Sequence, residues 1–419
     1  MTDAKNAMTE WRSFWFLPLA AALGYSSSVI HIYSIGPFIE PLQQAFGWSR
    51  AQITLGITVA SIVAAIFCIP MGVLVDRIGP RRVGLIGVLV MSALFALLST
   101  ATGERMNWLM LWGIVALGAI WLQAPVWTSA VAARFETSRG LAFAITLCGA
   151  SLSATIFPLL ATWLIGAYGW RMAFVAMGGM WAALVFPVLL LFFRGANDAK
   201  NKHSTAAKIS RDALPGVSFA EGLRSSALYK LLAAGGLFSF TAIAALVHFV
   251  PILKGVGATP LAAAGTASLI GIFSIAGRLG TGVLLDRFPG HKVGATVFLL
   301  PIIMAVLLLL DGANPISQAI AAAALGLTVG SEVDVIAFLA SKHFGLKNFG
   351  ALYGALVMAL TLGTAFGPLT AGAVFDHYGS YAPFLAMTTI LMAISAIALV
   401  SLGAAPNYEN AHLIGVAHD

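Results

Sequence analysis

Three charged side chains stand inside otherwise apolar stretches of the sequence: Arg278, in SLIGIFSIAGRLGTGVLLDRFPGHK (268 to 292), and Glu332 and Asp334, in the run 316 to 340. A guanidinium stays charged at any physiological pH and takes a carboxylate through two parallel N–H···O bonds. A carboxyl group in a low-dielectric site favours its neutral form, so it can carry a proton. Arg278 lies eight residues before Asp286 and Asp334 eight before Lys342. At ~1.5 Å of helical rise per residue both sit on the order of 12 Å from the same end of their helices, with Glu332 a turn or less deeper. The three can share one layer. Glu332 and Asp334 are two residues apart, about 200° around a helix, so they cannot both face one cavity: one lines a pathway and the other packs or ties. The bland alternative is an interhelical tie, with Arg278 held by Asp334 or Glu332 and no ligand.

The elements that carry these residues are membrane helices. The chain has 419 residues, 59% hydrophobic and 9% charged, against about 25% charge in soluble domains. A helix needs about 20 apolar residues to cross a bilayer, and twelve such runs can be marked: 14 to 38, 51 to 75, 83 to 102, 107 to 133, 140 to 167, 172 to 193, 229 to 253, 262 to 285, 293 to 310, 316 to 340, 349 to 375 and 380 to 403. Long apolar runs, in place of short alternating ones, exclude a transmembrane barrel. Residues 194 to 228 are polar, basic and rich in small residues, the composition of a cytoplasmic linker. The expected organisation is a six-helix bundle over 14–193, the linker over 194–228 and a second six-helix bundle over 229–403. The first ten residues are polar with no cleavage site after them, so the first span is expected to be retained.

The formal charge of +7 is spread between spans, which argues against nucleic acid as a partner. With both termini cytoplasmic, eighteen Lys and Arg fall on the inner side and four on the outer: Arg50, Arg105, Arg171 and Lys254. The positive-inside rule then sets the orientation.

A constant shift of 210 residues lays the second bundle on the first. GVLVDRIGPRRV from Gly72 falls on GVLLDRFPGHKV from Gly282, so Asp76 and Arg77 pair with Asp286 and Arg287. Gly140 falls on Gly350, Pro158 on Pro368, Tyr168-Gly169 on Tyr378-Gly379, and Phe174 on Phe384. One ungapped offset over six helices marks a duplicated unit. Gly72 and Gly282 are expected to allow close helix approach, with the Asp-Arg pairs at helix ends as scaffold and gate. A parallel repeat places a substrate site between the halves near the midplane. The positions paired with Arg278, Glu332 and Asp334 are Cys68, Leu122 and Ala124: the repeated scaffold does not need charge there.

Further polar candidates are Tyr25, His31 and Tyr33 in the first span, Gln123 in the fourth and Tyr353 in the eleventh, each able to hydrogen-bond an anion. His248 and most of the ten tryptophans read as interfacial. Cys68 and Cys148 lie within spans, which disfavours a disulfide or a metal site. The sequence has no Gly-x-x-x-x-Gly-Lys-Ser/Thr and no His-Glu-x-x-His, so neither ATP-driven transport nor intramembrane enzyme chemistry is indicated and no cofactor is expected.

The pattern at 72 to 82, with its second copy, resembles the signature of the major facilitator superfamily over essentially the whole chain. Within it, YSSSVIHIYSIGPFIEPLQQAFGWSRAQIT from Tyr25, and Arg278 one turn before Gly282, resemble the monocarboxylate transporter and oxalate/formate antiporter group. That resemblance implies an all-α fold of two six-helix bundles, alternating access and an arginine that binds substrate. The animal monocarboxylate branch carries an aspartate one turn before that arginine, where this chain has Ser274. It also carries a lysine on the first helix, at the level of His31 and Ile32 here. Oxalate/formate exchangers put a second cation on the eleventh helix, whereas residues 349 to 375 contain no Lys or Arg. Drug/proton antiporters carry a glycine-rich fifth helix that GASLSATIFPLLATW lacks. The expectation is a monomeric inner-membrane symporter of a proton and a small organic monocarboxylate. Arg278 holds the carboxylate and Glu332 or Asp334 the proton. An anion exchanger, a drug antiporter and a non-transporting sensor are the alternatives.

Overall fold

In the computed structural model, residues 2–135, 137–194, 216–345 and 347–406 are described, without the side chains of 2–7 and 68–77. Among them, eleven helices are long and apolar enough to cross a membrane. One of these, Arg139–Phe192, is two spans in series: Gly169 adopts φ 78 and breaks its 54 residues. Each run becomes a helix because a segment without water must satisfy its own backbone N–H and C=O groups. We number the spans α1 (Phe16–Phe46), α2 (Arg50–Ile78), α3 (Pro80–Leu97), α4 (Arg105–Ala132), α5 and α6 (the two parts of Arg139–Phe192), α7 (Ser226–Gly255), α8 (Pro260–Arg287), α9 (Gly290–Asp311), α10 (Pro315–Phe344), α11 (Phe349–Tyr378) and α12 (Ala382–Val400).

The buried apolar side chains form two clusters. One runs from Leu17 to Phe193 and the other from Leu228 to Leu399, with Val247 of α7 joining the first. The duplication is visible in the backbone. Gly47 (φ 67) and Gly257 (φ 99), 210 apart, end α1 and α7 in left-handed turns, and Gly169 (φ 78) and Gly379 (φ 66) do the same before α6 and α12. A side chain would strain all four positions. These turns share one face of the molecule, called the Gly379 face; Gly79 and Gly345 lie on the other.

The breaks that matter for the site do not show in the apolar run lengths. α4 is interrupted between Ile120 and Ala124, and α10 between Val329 and Glu332. Residues 120 and 330 are again 210 apart, so the broken helix is a repeated feature. α1 is broken too, by a tight turn at Ser27–Val29 and a second interruption at Ser34; its repeat partner α7 is continuous.

Close crossings fix how the helices meet. A Cβ on Gly277 would lie 2.1 Å from the Leu327 carbonyl oxygen, and one on Gly330 1.9 Å from that of Ser274. α8 and α10 therefore touch backbone to backbone, as small residues permit in membranes. Between the halves, Gly271 of α8 meets Ser151 and Thr155 of α5 with equally little room. Gly282, by contrast, borders open space, and an added Cβ would meet nothing within 4 Å among the described residues. The close approach expected there is absent, because the tight part of α8 ends before that residue. Asp286 and Arg287 are exposed. Gly72 lies in the backbone of α2, and the side chains of Asp76 and Arg77 are outside the described residues.

Polar contacts between the halves cluster toward the Gly379 face. Asp376, at the end of α11, accepts hydrogen bonds from the backbone N–H groups of Arg50 and Ala51, both at 2.9 Å. It completes a helix start whose other donors are met locally, since Ser49 and Gln52 form a reciprocal cap. The Arg50 guanidinium lies 3.5 Å over the Phe375 ring and donates to the Tyr381 hydroxyl. Thr54 and Thr58 of α2 donate to the carbonyls of Pro368 and Ala365. Glu40 pairs with Lys254 at the rim, beside a cleft of about 390 Å³ between α1 and α7.

His248 belongs to this region and is not interfacial. It is 0% exposed, with Nδ1 2.7 Å from the Tyr381 hydroxyl and Nε2 2.9 Å from the Pro368 carbonyl oxygen. Trp48, Trp108, Trp112, Trp127 and Trp181 are likewise buried. Their rings fill the N-terminal bundle, where the sequence suggested an interfacial belt.

Candidate functional site

Below this closed face lies a cavity of about 590 Å³, walled by both halves. α1 is bent at its two breaks and presents Tyr25 and Tyr33; Gln123 enters from the break in α4. From the other half come Arg278 of α8, Glu332 at the restart of α10 and Tyr353 of α11. The α8–α10 crossing sets the register: Gly277 and Gly330 bring the backbones together, and Thr281 and Ser331 are hydrogen-bonded at 2.7 Å. At this crossing, Arg278 meets Asp334.

The pair is asymmetric. Arg278 Nη1 donates to both Asp334 oxygens, at 3.1 and 3.0 Å, while Nε is buried without a partner among the described residues. Arg278 is 10% exposed and Asp334 32%. One corner of the guanidinium thus holds the helix α10 carboxylate, and its Nε edge is engaged by none of the described residues. Both acids stand in the first turn of the second segment of α10, where the helix dipole favours negative charge.

The sequence pattern of the Major Facilitator Superfamily matches residues 21–344. The chain belongs to that superfamily. Among the relatives of this facilitator, monocarboxylate transporter 13 of Rattus norvegicus is 26% identical, over 91% of the chain and 87% of the relative. The 4-hydroxybenzoate transporter PcaK of Acinetobacter baylyi is 24% identical, over 92% and 90%. Among solved structures, the nucleoside transporter NupG superposes with a TM-score of 0.72 at 12% identity, covering 93% of this chain and all of that one. A bacterial homologue of the human lysosomal transporter Spinster, inward-facing and unoccupied, gives 0.69 at 17% identity, over 94% and 98%. These structures show the fold. The chain is a multi-pass membrane transporter with the all-α, two-bundle architecture, and not an enzyme.

In this facilitator, Tyr25, Tyr33, Gln123, Arg278, Glu332 and Tyr353 share one cavity wall, and Asp334 joins them through Arg278. His31 does not line it: it is 6% exposed and packs edge-on against Trp112, with ring centroids 5.9 Å apart. α1 turns it into the N-terminal bundle, away from the cavity. The sequence reading missed Ser151, Ser239 and Thr364, which also line the site. Hydroxyls inside membrane helices are too common to single out, because most simply bond the carbonyl one turn back; Thr241 and Thr388 do so here.

Proposed function

We propose that this facilitator couples the entry of an organic monocarboxylate to that of a proton. The observation that carries the proposal is the half-occupied guanidinium: Arg278 is held by Asp334 at one nitrogen, and its buried Nε has no partner in a cavity between the two halves. A substrate carboxylate completes the fork and competes with Asp334 for the same charge. Two carboxylates sharing one guanidinium charge in a low-dielectric site are costly, so Asp334 takes up a proton as the substrate binds and gives it back when the substrate leaves. Substrate and proton then move together. Tyr25, Tyr33, Gln123 and Tyr353 shape the remainder of the site. Relatives named as monocarboxylate and 4-hydroxybenzoate transporters support a carboxylate as cargo.

The bias of Lys and Arg puts the Gly379 face outside and both termini in the cytoplasm, in the inner membrane of a bacterial cell, with the monomer as the working unit. The two bundles, 14–193 and 229–403, rock against each other across the 194–228 linker. With the outer side closed, the conformation described is the one that releases cargo inward.

The test uses proteoliposomes with an imposed pH gradient and a panel of radiolabelled acids. Uptake that follows the inward proton gradient, and is lost in Arg278→Ala, is the expected result. Acid-for-acid counterflow indifferent to pH would replace symport by exchange, and uptake retained in Arg278→Ala would remove the arginine from its role.

A further inference from the structure

The pairing of Arg278 with Asp334 leaves Glu332 unexplained. Its side chain is 6% exposed, it faces the cavity, and Oε1 is buried with no hydrogen-bond partner. Arg278 is not its partner: Asp334, two residues on, occupies the guanidinium, and that step turns a helix by about 200°. Glu332 instead lies against Ser239 of α7. The Ser239 hydroxyl is 3.3 Å from that of Thr364 on α11, and both line the cavity. The wall therefore has two polar poles, a cation with a free edge and a carboxyl beside the Ser239 hydroxyl, which itself meets Thr364. Ile243, Val329, Val333, Val357 and Leu360 supply apolar surface around them.

We propose that Glu332, with Ser239 and Thr364, is a second recognition pole, and that the cargo is a monocarboxylate bearing a hydroxyl group remote from its carboxylate. A hydroxyl both donates and accepts, so it satisfies Glu332 Oε1 and either neighbouring hydroxyl whatever the charge on Glu332. A cavity of about 590 Å³ has room for a cargo that reaches both poles. Sites built to bond a hydroxyl reject the analogue lacking it far more strongly than apolar pockets discriminate by size, because the site's own polar atoms are left unpaired. This inference rests on the carboxylate reading of Arg278.

The test is ligand-dependent thermal stabilisation of the purified full-length protein, which reads binding without transport. The probes are matched acids: butanoate and 4-hydroxybutanoate, benzoate and 4-hydroxybenzoate, 3-phenylpropanoate and its 4-hydroxyphenyl analogue. For at least one pair the hydroxylated member is expected to bind about tenfold tighter or more. Glu332→Leu should bring that ratio toward one, and Glu332→Gln, which keeps an acceptor and a donor, should retain most of it. Ser239→Ala gives a smaller loss and serves if the leucine variant does not fold. Ratios near one in the unaltered protein, or ratios that survive Glu332→Leu, overturn the second pole. In that case plain acids still bind and Arg278→Ala still abolishes their binding, so the carboxylate reading stands. A panel in which no acid binds overturns both.

Discussion

Two arginines organise this transporter, and they are wired in opposite ways. Arg278, which lines the cavity, and its carboxylate partner Asp334 belong to the same half. Arg50 and the groups it touches, Phe375 and Tyr381, belong to different halves, as do the α2 helix start and Asp376. A pair inside one half travels with it as a rigid body, so it persists through any rocking motion and is free to answer to ligand. A pair across the halves must break whenever that face opens. The first is suited to recognition and the second to gating. The second must also be weaker, since it is undone in every transport cycle.

The sharpest way to break this comparison is at the recognition pair. Removing one member of a largely desolvated ion pair typically costs ~3–5 kcal/mol, and removing both costs much less. Arg278→Ala is expected to lower the thermal midpoint of the purified protein clearly, and Arg278→Ala combined with Asp334→Ala to recover most of that loss without recovering acid uptake. A double variant as unstable as the single one would mean that Asp334 is not the group that Arg278 neutralises.

At the gate the expected effects are smaller and appear as a shift of conformation. Arg50→Ala removes the stack on Phe375 and the hydrogen bond to Tyr381, together ~2 kcal/mol, or about thirtyfold in favour of an opened Gly379 face. Thr54, 0% exposed under this contact, is the reporter. In a background with Cys68 and Cys148 replaced by serine, a cysteine at 54 should react with an impermeant maleimide much faster when Arg50 is absent. Asp376→Ala leaves the N–H groups of Arg50 and Ala51 to water at an exposed helix start, worth ~1 kcal/mol, or about fivefold by the same reading. If Asp376→Ala exceeded Arg50→Ala, the helix start would be the principal latch and the stacked arginine its accessory.

The same contrast explains what could be read from the sequence. Arg278, Glu332 and Asp334 were conspicuous because a charge in an apolar run has few bland explanations, and the twelve spans followed from run length alone. The 210-residue repeat also exposed the asymmetry of the three charges. Arg50 and Asp376 went unnoticed because they sit at helix ends, where charge is expected. Yet the same comparison singles them out: their repeat partners are Pro260 and Gly166, and that of His248 is Phe38. Arg50 was counted for topology only, and its partners come from helices more than 300 residues away. The break in α4 is marked by Pro125 in the first turn after it, which runs of hydrophobicity do not register. α10 carries no proline at Gly330–Ser331, and its break is fixed by how closely α8 approaches there. His31 was placed on the cavity by its span, but the rotation of a broken helix cannot be read from residue spacing.

The rim pair gives the smallest expected effect and the finest test of the contrast. Glu40 and Lys254 cross the halves like Arg50 and Asp376, but their side chains are 45% and 28% exposed. Exposed pairs contribute ~0.2–1 kcal/mol and are screened by salt. Lys254→Met should therefore raise the labelling rate at position 54 by at most about fivefold at low ionic strength, and the difference from the unaltered protein should shrink as salt approaches 1 M. The Arg50→Ala effect, which rests on a stack and a part-buried hydrogen bond, should persist at the same salt. If both effects vanished together, the gate would be held by long-range attraction between charged rims. If Lys254→Met alone opened the face fully, the latch would lie at the α1–α7 seam, and the contacts of α2 with α11 would follow from closure without causing it.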